Sequence, residues 1–320
     1  MYTDLKSMTI EELQTELASM KESSFRAGQI FDWIHSKHVH DIDEMTNLSL
    51  ALRKKLKDKY TFTVLECARM QESAIDGTKK FLFRLQDGNY VESVWMKYHH
   101  GNSVCISSQV GCRMGCRFCA STLDGLERNL LPGEMLGQIY AIGELTGERV
   151  SNIVVMGTGE PLDNYENLLR FLHLISHEKG LHISQRNITV STCGIVPRIK
   201  ELSLKKLQIT LAISLHAPTD EKRKELMPVA NSYSLKELME ACDIYYANTG
   251  RRISFEYALV AGVNDRDGEV MELSRLLKGK NAHINLIPVN PIKERNFKST
   301  DRLRVLAFKN KLEKNGINVL

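Results

Sequence analysis

Cys105-Ile-Ser-Ser-Gln-Val-Gly-Cys112-Arg-Met-Gly-Cys116-Arg-Phe-Cys119-Ala-Ser-Thr-Leu-Asp-Gly-Leu-Glu-Arg-Asn129 is the stretch from which the fold is read. Cys112, Cys116 and Cys119 fall within eight residues, spaced C-x3-C-x2-C. Gly111 and Gly115 loosen this loop, so three thiolates can turn toward one point. Converging thiolates are soft ligands, suited to zinc or to an iron–sulfur cluster. A closed zinc site usually pairs two Cys or His knuckles. Here one knuckle carries a third cysteine and no nearby fourth. The spacing therefore favours a [4Fe-4S] cluster that keeps one iron open for a small molecule. A non-catalytic RNA-binding adaptor holding structural zinc is the competing reading. Burial for packing alone would not explain why the cysteines cluster.

Outward from the loop, strand and helix patterns alternate. Strands are expected over 104–107, 152–156, 187–191, 209–215, 253–259 and 283–287. Helices are expected over 133–145, 165–178, 196–202, 235–248 and 268–277, with a last one over 300–314 and the start of a further strand at 317–320. Six β/α units in sequence imply an α/β protein with a parallel sheet, which right-handed crossovers curl into an open, partial (β/α)6 barrel. Ligands gather at the carboxyl ends of such strands, and the motifs below sit there. Upstream, residues 1–60 read as a small helical module. Thr9-Ile-Glu-Glu12 is a capping box followed by Ile10, Leu13 and Leu17 at helical spacing. Phe25, Ile30, Phe31 and Ile34 mark a second helix, and a third ends in the basic run Arg53-Lys-Lys-Leu-Lys-Asp-Lys59. That run reads first as a solvated helix face and second as a phosphate contact. Between 61 and 98 the period changes to two, and Asp87-Gly88 marks a turn, so a short antiparallel meander is expected. The domains are then 1–60, a β-rich extension over 61–100, and the barrel over 101–320.

A chain of 320 residues can bury a large core, and 42% apolar with 26% charged residues excludes a disordered polymer. A net charge of +4 is small, so any nucleic-acid footprint must be local. Seven cysteines in no even pattern suit a reducing compartment. The N-terminus lacks an apolar signal region and no apolar run reaches membrane length, so a cytoplasmic location is expected.

Four further motifs follow strands. In Met156-Gly-Thr-Gly-Glu-Pro161, Gly159 lets the backbone approach a ligand, and Glu160 can accept from an ammonium group. Ser191-Thr-Cys-Gly194 offers hydroxyls for a carboxylate or ribose, or simply caps a turn, with Cys193 taken as structural. Leu211-Ala-Ile-Ser-Leu-His216 ends a buried strand with Ser214, Leu215 and His216. Asn290, just past the last barrel strand, offers an amide for an adenine edge or ribose. Phe118 shields the cluster or packs; Cys105 is a structural thiol, a redox partner or a fourth ligand; Glu92 is by default an exposed strand carboxylate. Lys293, Arg295, Lys298, Arg302 and Arg304, with Phe297 interleaved, form either a phosphate-binding and base-stacking patch or a solvated loop.

Taken in order, these residues resemble the radical S-adenosylmethionine (SAM) RNA adenine methyltransferases, the RlmN and Cfr enzymes. The similarity runs from about Leu5 to Leu320 and includes Phe25-Arg-Ala-Gly-Gln-Ile-Phe-Asp-Trp-Ile, Asp43-Glu-Met-Thr-Asn-Leu-Ser, Val91-Glu-Ser-Val, Cys105-Ile-Ser-Ser-Gln-Val-Gly-Cys112 and Gly125-Leu-Glu-Arg-Asn-Leu. Val110 and Pro161 look like the RlmN branch, with the Cfr branch as the alternative. The resemblance implies that Cys112, Cys116 and Cys119 hold a [4Fe-4S] cluster. Gly159, Glu160, Ser191, Ser214, Leu215, His216 and Asn290 would bind SAM. Glu92 would be the proton acceptor, and Cys105 the resolving thiol that ends in a disulfide with a cysteine near the C-terminus.

The implied reaction methylates C2 of an adenine in 23S ribosomal RNA, and in some bacteria an adenine beside the tRNA anticodon; Cfr enzymes methylate C8 and confer antibiotic resistance. C2 of adenine is electron-poor, so ordinary methyl transfer fails and a radical route through a methylated cysteine, consuming two SAM, is implied. An electron donor such as a flavodoxin or ferredoxin and a monomeric state are expected. The chain departs from the family pattern at its end. The family continues to a Gly-Ala-Cys-Gly-Gln-Leu-like tail carrying the methyl-accepting cysteine, whereas this sequence stops at Leu320 and none of its seven cysteines holds that place. The C-terminal tail is thus expected to be missing, with cluster and SAM binding retained and RNA methylation left incomplete.

Overall fold

In the computed structural model, which describes residues 4–99 and 101–320, the chain forms two compact units. The first comprises Met1–Val110, Asn129–Gly157 and Asn164–Ile188; the second comprises Gly111–Arg128, Thr158–Asp163 and Thr189–Leu320.

The first unit begins with three helices. α1 (Ile10–Ser19) starts at the expected capping box: Thr9 Oγ1 accepts from the Glu12 amide and the Glu12 carboxylate accepts from the Thr9 amide at 3.0 Å. Leu13 and Leu17 are buried with Ala27, Ile30, Phe31 and Ile34 of α2 (Arg26–His35). Phe25 departs from the expected stripe. It sits one residue before α2 and is 60% exposed. α3 (Leu50–Lys59) is capped by Ser49 and buries Leu52 and Leu56. Its basic face is solvated and internally engaged: Lys55 pairs with Glu22, Lys57 with Asp41 and Asp43, and Lys59 with Glu16.

Four antiparallel strands follow, β1 (Glu66–Glu72), β2 (Lys79–Arg84), β3 (Tyr90–Tyr98) and β4 (Gly101–Ile106), each paired with the next. β1 shows almost no buried position, which is why its sequence carries no alternation. A two-stranded ribbon, β5 (Gln109–Gly111) with β6 (Leu126–Asn129), leads out to the cysteine loop and back. α4 (Pro132–Thr146) then crosses to β7 (Val150–Val155), which lies parallel to β4, and α5 (Tyr165–Ser176) follows.

The second unit carries four parallel strands in the order β8 (Ile188–Thr192), β9 (Thr210–Ser214), β10 (Ile253–Leu259) and β11 (Ala282–Pro288). Its helices are α6 (Val196–Leu204), α7 (Asp220–Leu226), α8 (Leu235–Thr249), α9 (Asp267–Leu277) and α10 (Arg302–Lys314). α7 escapes a sequence reading because six of its seven residues are charged and no apolar period exists to find. The expected strand start at 317–320 is real: Val319 bridges Ile284 in parallel, and the Leu320 amide donates to the Ile284 carbonyl at 2.8 Å.

β10 shows how this sheet is built. All seven of its residues are buried, yet its two faces differ. Ile253, Phe255, Tyr257 and Leu259 form the apolar face, where Tyr257 stacks on Phe308 of α10 at 5.8 Å. Ser254 and Glu256 project from the other face. A buried strand with one polar face has a ligand or a polar network to satisfy.

Candidate cofactor site

The cysteine loop, the Gly-Glu-Pro segment and the ends of β8 and β9 all belong to the second unit. The loop is a built turn. The Cys112 amide donates to the Gly125 carbonyl at 2.7 Å, and the Cys119 amide to the Cys116 carbonyl at 3.1 Å. Thr122 Oγ1 donates to the Cys116 and Cys119 carbonyls at 3.1 and 3.0 Å. Gly111 has φ +71°, and a Cβ there would run into the Gly125 carbonyl oxygen. The Arg117 amide donates to the Leu226 carbonyl at 2.9 Å, which seats the loop on the end of α7. Arg113 grips Asp163 with both Nε, at 2.9 Å from Oδ2, and Nη2, tying the loop to the segment after Glu160.

Cys112 and Cys116 are buried and Cys119 is half-buried. Burial pushes the Cys112 thiol up to about 11 and the Cys116 thiol up to about 12. The neighbouring thiols and Glu160 add to both shifts, so the three sulfurs lie within one another's electrostatic reach. No group of three His, Cys, Asp or Glu residues among the described residues could hold a single metal ion. A [4Fe-4S] cluster asks for a wider arrangement, because each cysteine holds a different iron. Three soft, mutually close thiols on a glycine-hinged loop fit it.

Glu160 is 3% exposed. Its Oε2 accepts from the Cys193 amide at 2.7 Å and its Oε1 from the Leu162 amide at 2.9 Å. Burial raises its pKa, and these backbone donors pull it back. Cys193 is buried and free, as expected, and its carbonyl accepts from Arg223. His216 lies beyond β9 with φ +55°, a left-handed conformation that costs a non-glycine residue about 1–2 kcal/mol. Nδ1 of His216 accepts from the Ala258 amide at 2.8 Å, so the ring is neutral with its proton on Nε2. Burial drives its pKa down to about 3, with Arg223 adding to the shift. Asn264, fully buried, holds the same corner: it donates to the His216 and Ala258 carbonyls and accepts from the Val260 amide, each at 2.7 Å. Phe118 packs edge-on against the His216 ring at 4.7 Å between centroids.

Register places the other polar groups. Ser191, Ala212, Ser254 and His283 form one row across β8 to β11. Ser214, Glu256 and Asn285 form the next row on the same face. Ser254 Oγ donates to Glu256 Oε1 at 2.9 Å and pairs with His283 Nε2 at 3.0 Å, and Asn285 Nδ2 donates to Glu256 Oε2 at 2.8 Å. Asn264, Arg223, Glu256, Ser254, His283 and Asn285 were not singled out from sequence. A Glu inside an apolar strand was the available signal for Glu256. Leu215 is buried beside Ser214, Gly159 takes φ +107°, and Asn290 is exposed two residues past β11. Phe297 is corrected as a base-stacking residue: it packs against the buried Cys116, Cys193, Leu226 and Met227 cluster.

The two expected catalytic residues lie in the first unit. Glu92 is exposed on β3, paired with Lys80 at 2.7 Å in a small cleft shared with Arg69, Gln71 and Leu82. Cys105, on β4, has its thiol pushed up to about 11 by burial, partly offset by the Met156 backbone. All seven cysteines are free, and none of them is the C-terminal partner implied for Cys105.

Residues 3–61 match the ribosomal RNA large subunit methyltransferase N-terminal domain, and residues 106–274 match the radical SAM superfamily. A probable dual-specificity RNA methyltransferase RlmN of Lachnospira eligens is 65% identical over 317 residues, covering 99% of this chain and 91% of its own. That of Lachnoclostridium phytofermentans is 61% identical, covering 99% and 89%. The chain belongs to the RlmN family. The crystal structure of a radical SAM methyltransferase from Sphaerobacter thermophilus, 41% identical, superposes with a TM-score of 0.95 over 99% of this chain and 94% of that one. The fold is therefore the α/β, open partial barrel of radical SAM enzymes with a helical N-terminal module. This RlmN-family enzyme methylates adenine in RNA and works with a [4Fe-4S] cluster and SAM. The zinc-adaptor reading gives way, and the Cfr branch gains no support from these relatives.

Proposed function

We propose that this RlmN-family chain methylates C2 of an adenine in 23S ribosomal RNA and in tRNA, with Cys112, Cys116 and Cys119 as the cluster ligands. One observation carries the reading: the three-thiol loop and buried Glu160 fall in one compact unit with Ser191 and the Ser214-Leu-His216 corner, which stand at the carboxyl ends of the parallel strands β8 and β9. When bound, the cluster supplies the electron that cleaves SAM. Glu160 has the charge to take the SAM ammonium. Ser191 and Ser214 offer hydroxyls to its polar atoms, with Gly159 and Leu215 shaping the wall and Asn290 reading the adenine edge. Neutral His216 and Phe118 close the corner and keep water away from the reacting carbon.

Glu92 is an exposed carboxylate able to accept the ring proton, with Lys80 orienting it. Cys105 would serve as the resolving thiol, its proton retained until the attack it makes. Residues 1–60 would guide RNA, residues 61–100 would carry Glu92, and 101–320 would hold the cofactors. A flavodoxin or ferredoxin would donate electrons to a cytoplasmic monomer.

The test has two parts. Protein reconstituted anaerobically should be brown, contain iron and sulfide, and release 5′-deoxyadenosine from SAM when reduced. RNA from cells with and without the gene, digested and compared with C2- and C8-methylated standards, should differ in the C2 product. A colourless zinc protein, or a C8 product, overturns the proposal.

A further inference from the structure

Arg223 is the largest fully buried side chain of the second unit, at 0% exposure. Its Nη2 donates to the Cys193 carbonyl at 2.6 Å and the Ser214 carbonyl at 3.3 Å, and its Nε to the Leu215 carbonyl at 3.3 Å. Nη1 is buried with no hydrogen-bond partner. No carboxylate forms an ion pair with it among the described residues. Cys193, whose carbonyl it binds, lies in one buried cluster with Cys116 of the cysteine loop and with Leu226, one turn further along α7. A guanidinium stays protonated, and a buried charge without a counter-ion is unfavourable. The fold nonetheless reserves its place. Gly194, at φ +102°, would put a Cβ 3.2 Å from Nη2.

We propose that Arg223 is the counter-charge of the cluster held by Cys112, Cys116 and Cys119, and that it raises the cluster's midpoint potential. The inference rests on the ligand placement proposed above. Three thiolates leave the oxidised cluster a net anion. One electron, taken from a low-potential one-electron donor, adds a further negative charge and moves no atom or proton. A fixed cation nearby stabilises the reduced form more than the oxidised one. The cluster-binding loop is seated on the helix that carries Arg223: the Arg117 amide donates to the Leu226 carbonyl at 2.9 Å, and Cys116 packs with Cys193 and Leu226 in one buried cluster.

The experiment is a dithionite titration of the reconstituted full chain, followed by electron paramagnetic resonance, on wild type, R223Q and R223K. R223Q is expected to shift the reduction equilibrium at least tenfold toward the oxidised form, about 59 mV for one electron. R223K should recover most of that shift, and SAM affinity should stay within twofold in both. A loaded R223Q cluster at the wild-type potential overturns the proposal. So does R223K shifting as far as R223Q, which would assign Arg223 to stapling carbonyls, or a loss of SAM affinity without a change in potential. If R223Q holds no cluster, Cys242→Asp sets a carboxylate against the guanidinium and should lower the potential in the same direction. An unchanged potential there overturns the proposal equally. A wild-type chain that assembles no cluster would instead sink the ligand placement.

Discussion

Replacing Asn264 by alanine removes three hydrogen bonds at one buried corner and leaves the Val260 amide and two carbonyls without that partner. A neutral hydrogen bond contributes about 1 kcal/mol net, so the loss should be about 3 kcal/mol, before any cavity is counted. Since about 1.4 kcal/mol is tenfold, opening of this corner should rise on the order of 100-fold. Asn264→Asp, close in shape, should be at least as harmful. Its oxygen can still accept from Val260, but a carboxylate would then face the two carbonyls to which Asn264 donates. Urea unfolding gives the global loss, and hydrogen–deuterium exchange of peptides spanning 253–266 gives the local one. A loss below about 0.5 kcal/mol with unchanged exchange, or an Asp variant as stable as wild type, would refute the view that this side chain fixes His216 in its left-handed conformation.

Four other outcomes follow from the same geometry. His216→Asn, which tolerates positive φ and offers an oxygen to the Ala258 amide, should stay within about 1 kcal/mol of wild type, while His216→Ala should cost about 1–3 kcal/mol in urea unfolding. His216 titrates near 3 when folded and near 6.5 when unfolded, so its contribution to stability is complete above about pH 6.5 and is lost as pH falls toward 3. His216→Asn should flatten that part of the acid-unfolding curve, and an unaltered curve would contradict the assignment. Serine at Cys112, Cys116 or Cys119 should abolish iron and sulfide loading, whereas serine at Cys67 or Cys242 should not; equal loss from Cys242 would undo the ligand set. Glu160→Gln should weaken SAM binding to reconstituted protein roughly tenfold or more, the worth of a charge-assisted hydrogen bond, and dialysis showing less than twofold would remove Glu160 from that role.

How much of this was legible in the sequence depended on what carried the signal. The cysteine loop, the six core strands and the Thr9 capping box could be read because spacing, apolar runs and a cap motif are local properties. α7 could not be read, since its two buried residues are an arginine among charges and a lone leucine. Glu256 and Asn285 meet only through parallel register, which links residues 29 apart in sequence. Asn264 acts on the carbonyl of a residue 48 positions away. Phe25 and Phe297 misled for a related reason: an aromatic residue names a need for partners and does not say which surface supplies them.

The peptide of residue 193 is gripped at both ends, its amide by the Glu160 carboxylate and its carbonyl by the Arg223 guanidinium. Opposite charges are thus joined through main chain, with the Cys193 thiol adding a side-chain hydrogen bond to Glu160. Every residue with an amide hydrogen can keep the two main-chain bonds, and proline, which lacks it, would cut the bond to Glu160. A substitution there acts through the main chain as well as through the thiol.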